Sequence, residues 1–281
     1  MEEMKKRYLE RMSAQIRKTA LETIQTAGSG HIGGSFSIAE ILSVLYFDKM
    51  QVDPADPKRE NRDRFVISKG HCSPAVYTTL ALRGFFPAEH LKTFREITSD
   101  LSGHVEMHVP GVDMSTGSLG QGLSVALGMA LYGKCKGYQN HVYCVLGDGE
   151  IQEGQVWEAA MAAGFYKADN LIAVVDNNKL QLDGALDEVM SPYPIGDKFK
   201  AFGWKVLEAD GHDVEQLSAA FDLAKKSKGQ PVMIVADTVK GKGVSVFENQ
   251  VRFHGGHPTK EEFETAYREL NEQLAGLEGQ R

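Results

Sequence analysis

Two apolar runs in the middle of the chain limit its fold more than any other feature. His141-Val-Tyr-Cys-Val-Leu146 and Leu171-Ile-Ala-Val-Val175 read as buried strands, and the stretch from Glu153 to Tyr166 between them reads as a helix, making a βαβ unit. Arg64-Phe-Val-Ile-Ser68, Trp204 to Glu208 and Val232 to Asp237 are further strand candidates, with a helix from Val214 to Lys226 between the last two. Strand and helix alternate, so the expected class is α/β, with a doubly wound, mostly parallel sheet. Apolar residues at three- and four-residue steps predict a helix from Tyr8 to Ile24, ending near Gly28 and Gly30. Further helices are expected from Ser37 to Met50, Pro74 to Arg83 and Ala88 to Ile97. No repeat, low-complexity tract or composition break divides the 281 residues, and a layered α/β core absorbs that length. One domain is therefore expected over residues 1–281, with a helix at its N-terminus and a peripheral, exposed helix from Thr259 to Leu277.

Charge narrows the partners. Thirty-one basic against 38 acidic side chains give a formal charge of −7, which argues against nucleic acid, so any phosphate should be held locally, by metal or backbone amides. Cys72, Cys135 and Cys144 form an odd set without ligand spacing and read as buried thiols in a reducing cytoplasm. The segment from Met1 to Arg11 is charged, and no stretch approaches the roughly 18 apolar residues of a membrane span. A soluble, cytoplasmic protein with no membrane partner is expected.

In open parallel sheets ligands bind beyond the carboxyl ends of the strands, which directs attention to Gly147-Asp148-Gly149-Glu150. The glycines permit close backbone approach, and the helix beginning near Glu153 turns free amides toward the loop, a geometry suited to a diphosphate. Gly147-x-Gly149 followed by Gly154 and Asp176 also imitates a dinucleotide-binding fingerprint, and with it a nicotinamide-dependent oxidoreductase. The spacing to Gly154 is too long for that, and Asp148 would repel a pyrophosphate unless a divalent cation lay between them. Asp176-Asn177-Asn178 ends the next strand, where Asn178 and the Leu180 carbonyl can offer neutral oxygens to the same ion. Taken alone, Asp-Asn-Asn reads as a polar turn, and it is the pairing with the Gly147 to Glu150 loop that favours a ligand role.

Nine histidines occur, and His31, His71, His104, His212 and His257 each follow a glycine. None has the short-spaced partners of a zinc site. His212 sits in Asp210-Gly-His-Asp213, a structural loop in which Asp213 is a good N-cap for the next helix. His90, His108 and His141 read as packing or surface residues, and His257 stays open. Lys240-Gly-Lys-Gly243 lacks P-loop spacing and is expected to form a mobile lid.

A GDG followed after about thirty residues by NN is the thiamine-diphosphate fingerprint, and Gly147-Asp-Gly-Glu-Ile-Gln-Glu-Gly154 resembles its transketolase version. Ser29-Gly-His-Ile-Gly-Gly34, Ser68-Lys-Gly-His71, Gly103-His104, Thr116-Gly-Ser-Leu-Gly-Gln-Gly122 and Phe253-His-Gly255 extend the resemblance in order along nearly the whole chain. Ser118 departs from the proline common in large transketolases. The resemblance implies a thiamine-diphosphate-binding fold, with Asp148, Asn178 and the Leu180 carbonyl as ligands of Mg²⁺, or of Ca²⁺ or Mn²⁺, and Gly149 on the diphosphate. It places Gly117 and Leu119 beside the aminopyrimidine, and His31, His71, His104 and His254 above the thiazolium as the catalytic set, with His71 and His254 also touching the diphosphate. Glu153 and Glu158 fall in the family's Glu-Gly-x-x-x-Glu string at the cofactor and interface side, though a solvated helix face also suits Glu158. Transketolases take the glutamate that protonates the aminopyrimidine, and most contacts to the sugar-phosphate tail, from a second type of domain. That domain is not in this sequence, so either the chain is a fragment or the enzyme is split into two subunits. In the split form, which is the one expected here, the resemblance implies a transferase of carbohydrate (pentose phosphate) metabolism working with a partner subunit carrying pyrimidine-binding and C-terminal domains, as a heterotetramer. Its reaction would move a two-carbon ketol unit from a ketose phosphate to an aldose. Deoxyxylulose-phosphate synthase shares GDG, NN and some histidines, but the His104 loop and Glu153-Gly154 fit transketolase better.

Overall fold

The apolar runs become strands because helices cover them on both sides. A computed structural model describes residues 1–278. In chain order the helices are α1 (Glu3–Ala27), α2 (Ile32–Ser37), α3 (Ala39–Val44), α4 (Ser73–Arg83), α5 (Gly122–Cys135), α6 (Gly154–Phe165), α7 (Leu186–Val189), α8 (Ile195–Ala201), α9 (Val214–Lys225) and α10 (Lys260–Glu278). The strands are β1 (Arg64–Ile67), β2 (Val142–Gly147), β3 (Leu171–Asn177), β4 (Lys205–Asp210) and β5 (Val232–Asp237). They form one sheet of order β1-β2-β3-β5-β4, with every pairing parallel. This is the doubly wound α/β architecture expected from the alternation.

Successive residues of each strand serve opposite layers. Phe65, Tyr143, Val145, Ile172, Val174 and Ile234 join α1, α3, α4 and α9 in one core. Val66, Cys144, Leu146, Ala173, Val175 and Met233 join α5, α6 and α8 in the other. Burying a side chain of this size contributes roughly 1.5–3 kcal/mol, so neither face of β2 or β3 tolerates a polar residue cheaply. At the start of β1, buried Asp113 accepts from Arg62 at 2.6 and 3.0 Å, from Arg64 at 3.0 Å and from the Phe65 amide at 2.9 Å. That ties the long segment between α4 and α5 to the sheet. No helix among the described residues is long and apolar enough to cross a membrane.

Three local expectations need correction. The helix expected from Ser37 to Met50 is broken at Ile38 and ends in a π-helical turn, Leu45–Lys49. The Ser37 hydroxyl donates to Asp176 at 2.7 Å and to the Gly34 carbonyl at 3.1 Å, which draws the chain toward the sheet at that point. The helix expected to Ile97 is only a 3₁₀ segment, Ala88–Thr93, and Arg95 has a φ of 64°, which no right-handed helix allows. Cys72 and Cys144 are buried, whereas Cys135 is exposed at the end of α5. Helix α10 lies along α1 and buries Ala266 and Leu270 with Phe36, Phe247 and Phe253, so only its outer face is open.

Candidate functional site

Register brings the chemistry-bearing loops together. Gly147 pairs with Asp176, and Asp176 with Ala236, so the loops after β2, β3 and β5 leave the sheet side by side. Asp176 is fully buried and accepts from Lys69 Nζ at 2.5 Å, Ser37 at 2.7 Å, Asn178 Nδ2 at 2.9 Å and Thr238 Oγ1. Burial opposes its ionisation, but Lys69 and these donors outweigh burial and lower its pKa. With its amide nitrogen so engaged, Asn178 turns Oδ1 toward the Leu180 amide at 3.2 Å.

Asp148 is the opposite case. It is 2% exposed and accepts only from the amides of Gly149 at 2.8 Å and Lys179 at 2.5 Å, with no ion pair among the described residues. Burial, then the charge of Asp176, pushes its pKa up to about 7. A buried carboxylate in this condition gains most from a cation. Asn178 Oδ1 and the Leu180 carbonyl are neutral oxygens on the adjacent loop, and carboxylate plus neutral oxygens suits a hard divalent ion. No cluster of three or more His, Cys, Asp or Glu side chains that could hold a metal exists among the described residues, so any ion here must use amide and carbonyl oxygens.

Four loops deliver His31, His71, His104 and His254 to one place. Ring centroids of His31 lie 5.0 Å from His71, 6.0 Å from His104 and 5.7 Å from His254, and His71 is 5.1 Å from His254. Burial lowers the pKa of all four, to about 4 for His31 and about 3 for His254. Nearby cations add to this: Arg95 at His31 and His104, Lys69 at His71, Lys240 at His254. Each ring is neutral at pH 7 and offers one donor and one acceptor nitrogen. Nδ1 of His31 is buried without a hydrogen-bond partner among the described residues. The His104 carbonyl is pinned by Tyr77 Oη at 2.9 Å and Ser102 Oγ at 2.6 Å, and a Cβ on Gly117 would stand 3.0 Å from its ring. Gly117 therefore lets the Thr116 to Gly122 loop lie against His104.

The model of the family described as transketolase, thiamine diphosphate binding domain, matches residues 9–273. The chain belongs to this family. One relative, a subunit of the apulose-4-phosphate transketolase from Phocaeicola vulgatus, is 45% identical over 270 residues, which cover 96% of each chain. A 6-deoxy-6-sulfo-D-fructose transketolase subunit from a Clostridium species is 46% identical over 95% of this chain and 98% of its own. Among solved structures, Campylobacter jejuni transketolase superposes with a TM-score of 0.90 at 32% identity, covering 99% of this chain but 46% of the longer one.

Within this transketolase domain the other expected residues lie at the rim. Leu119 is exposed, and Glu153 is exposed at the N-cap of α6. Glu150 is buried and accepts from Ser68 and from the amides of Gly120 and Gly147, each at 2.9 Å, locking the loop after β2 to the Thr116 to Gly122 loop. Lys240 was not legible as a site residue. It is buried, with its ammonium 3.0 Å from the Leu180 carbonyl and 3.0 Å from His254 Nδ1, so the segment expected to be a mobile lid contributes to the floor of the site. Burial, then Lys69, pushes its pKa down to about 8. His90 pairs with Asp100 at 2.5 Å, and exposed His257 stands outside the cluster. A cleft of about 890 Å³ beside Asn177 and Tyr193 contains none of the four histidines, and Asp187, Asp197 and Asp237 in its walls would repel phosphate.

Proposed function

We propose that this chain is the thiamine diphosphate and Mg²⁺ binding subunit of a two-chain cytoplasmic transketolase, a transferase moving a two-carbon ketol unit from a ketose phosphate to an aldose. The observation that carries the reading is the meeting, at one end of the sheet, of an unpaired buried carboxylate, Asp148, with four neutral imidazoles. Asp148, Asn178 Oδ1 and the Leu180 carbonyl would hold the metal, Ca²⁺ or Mn²⁺ being alternatives. Gly149, His71 and His254 would contact the diphosphate, and Gly117, Leu119 and Glu153 would line the cofactor's other end. When bound, thiamine diphosphate supplies the electron sink for carbon–carbon cleavage. The neutral rings of His31, His71, His104 and His254 orient the ketose hydroxyls and carbonyl and move protons between them. The two short relatives are named for a phosphorylated and a sulfonated ketose, and the shared feature extended here is an anionic tail.

The partner rests on two supports. The short relatives are named as subunits and match this chain nearly end to end. Outward-facing Met161, Phe165, Tyr166 and Tyr132 on α5, α6 and the turn after α6 present apolar surface beside exposed Glu158, as expected of a face covered by protein in a heterotetramer. Calorimetry with Mg²⁺ and thiamine diphosphate tests the cofactor half: Asp148→Ala should abolish metal-dependent binding while the chain stays folded. The change strands no ion-pair partner among the described residues and costs the apo fold only the two amide contacts from Gly149 and Lys179, about 1–3 kcal/mol for each donor left unsatisfied. Unchanged affinity would remove the metal assignment.

A further inference from the structure

The loop after β5 sends Lys240 into the site, and its path is set from outside the site. The Lys240 stem runs so close to Gly33 that a Cβ there would meet Lys240 Cγ at 2.8 Å. Its backbone is held by the Asn249 amide donating to the Lys240 carbonyl at 2.9 Å and by the Gly241 amide donating to the Gly33 carbonyl at 3.0 Å. On the N-terminal side Thr238 is tied to the sheet by its amide, which donates to the Asn177 carbonyl at 3.2 Å, and by its hydroxyl on Asp176. The peptide next to Lys240 is held by a side chain: the Val239 amide donates to His212 Nε2 at 2.8 Å.

This contact determines the histidine's tautomer. A backbone N–H only donates, so Nε2 is the acceptor and the ring hydrogen sits on Nδ1, which donates to Glu40 at 3.0 Å. Glu40 is buried and held by Arg17 of α1 through two contacts of 2.6 and 2.5 Å, while Arg17 also donates twice to the Phe36 carbonyl. Burial opposes ionisation of Glu40, but Arg17 and His212 prevail, and its pKa is lowered to about 2. The carboxylate is therefore always available to hold Nδ1–H.

We propose that His212 is a positioning residue for Lys240: the chain Arg17–Glu40–His212 fixes the Val239 peptide and thereby delivers the Lys240 ammonium to the diphosphate end of the site. The inference rests on the reading of the Asp148 loop as a diphosphate and metal site. It gives the Asp210 to Asp213 loop a role beyond capping α9, where Asp213 accepts from the Glu215 and Gln216 amides at 2.8 and 3.1 Å.

Two substitutions separate positioning from bulk stability. His212→Gln puts an acceptor near the place of Nε2, whereas His212→Asn reaches only the place of Nδ1. Hydrogen exchange on the chain without cofactor should show residues 238–243 exchanging faster in His212→Asn and as in the wild type in His212→Gln. In the assembled enzyme His212→Asn should weaken Mg²⁺–thiamine diphosphate binding about tenfold, the scale of one lost positioned contact to a charged group. In a Lys240→Met background the same change should cost less than about twofold, because contacts acting through one side chain are not additive. An equal cost in both backgrounds, or identical behaviour of the Gln and Asn variants, overturns the proposal. Lys240→Met with unchanged affinity, where Asp148→Ala is damaging, also overturns it while leaving the diphosphate reading standing. If Asp148→Ala is harmless, the underlying reading has failed instead.

Discussion

His31 and His254 contribute to stability in a direction that follows from their depressed pKa values of about 4 and about 3. The unfolded chain takes up protons near an ordinary histidine value of about 6.5, before the folded state does. Stability present above that pH is therefore lost as pH falls from about 6.5 toward 4. Urea midpoints at pH 7 and pH 5 should differ more for the wild type than for a His31→Gln, His254→Gln double variant, and equal differences would contradict the buried, neutral assignment. His104 is the most open of the four and should act mainly on turnover. In the assembled enzyme His104→Ala should lower kcat by roughly 10²- to 10⁴-fold while changing cofactor affinity little, whereas a loss under about threefold would make it a structural histidine. The four histidines were legible because each sits in a short glycine-containing string that resembles the family's. Lys240 was not, since its string has lysines and glycines without phosphate-loop spacing, and only folding shows that its stem enters the core beside Gly33. The partners of His212 were equally hidden: Glu40 lies 172 residues away in sequence, and nothing local announces the pair.

At the scale of elements, β2, β3 and β5 were readable because strands covered on both faces need unbroken apolar runs, and β2, β3 and β5 have them. The helix from Ser37 to Met50 was misread for a related reason. Its apolar periodicity is genuine, but Ser37 answers to Asp176 across the fold, and a tertiary hydrogen bond overrides propensity there. The turn from β1 into α4 depends on backbone contact that a sequence does not display. A Cβ on Gly70 would stand 2.2 Å from the Thr116 carbonyl oxygen, too close for either backbone to accommodate without moving. Gly70→Ala should destabilise the chain by about 1–3 kcal/mol, the usual cost of overpacking, and should displace both His71 and the Thr116 to Gly122 loop. Equilibrium urea unfolding measures the first effect, and loss of cofactor affinity beyond the loss in stability measures the second. A Gly70→Ala chain as stable as wild type would mean that the two loops are not packed as described.

For the whole molecule, the structure brings the loops after β2, β3 and β5 and the four histidines to one rim of a parallel sheet. The aminopyrimidine end of the cofactor is a different matter. The Campylobacter jejuni transketolase that superposes on this chain is more than twice the matched length, and the short relatives carry the name of one subunit. Exposed Leu119 at the site and the apolar outer faces of α5 and α6 are the surfaces on which a second chain would close the site from water. The direct measurement is release of aldose phosphate from a ketose phosphate, with Mg²⁺ and thiamine diphosphate present, by this chain alone, by a partner carrying the pyrimidine-binding domain, and by the two mixed. Activity that is absent from each chain alone and appears on mixing is the expected result, whereas full activity in this chain by itself would contradict the account.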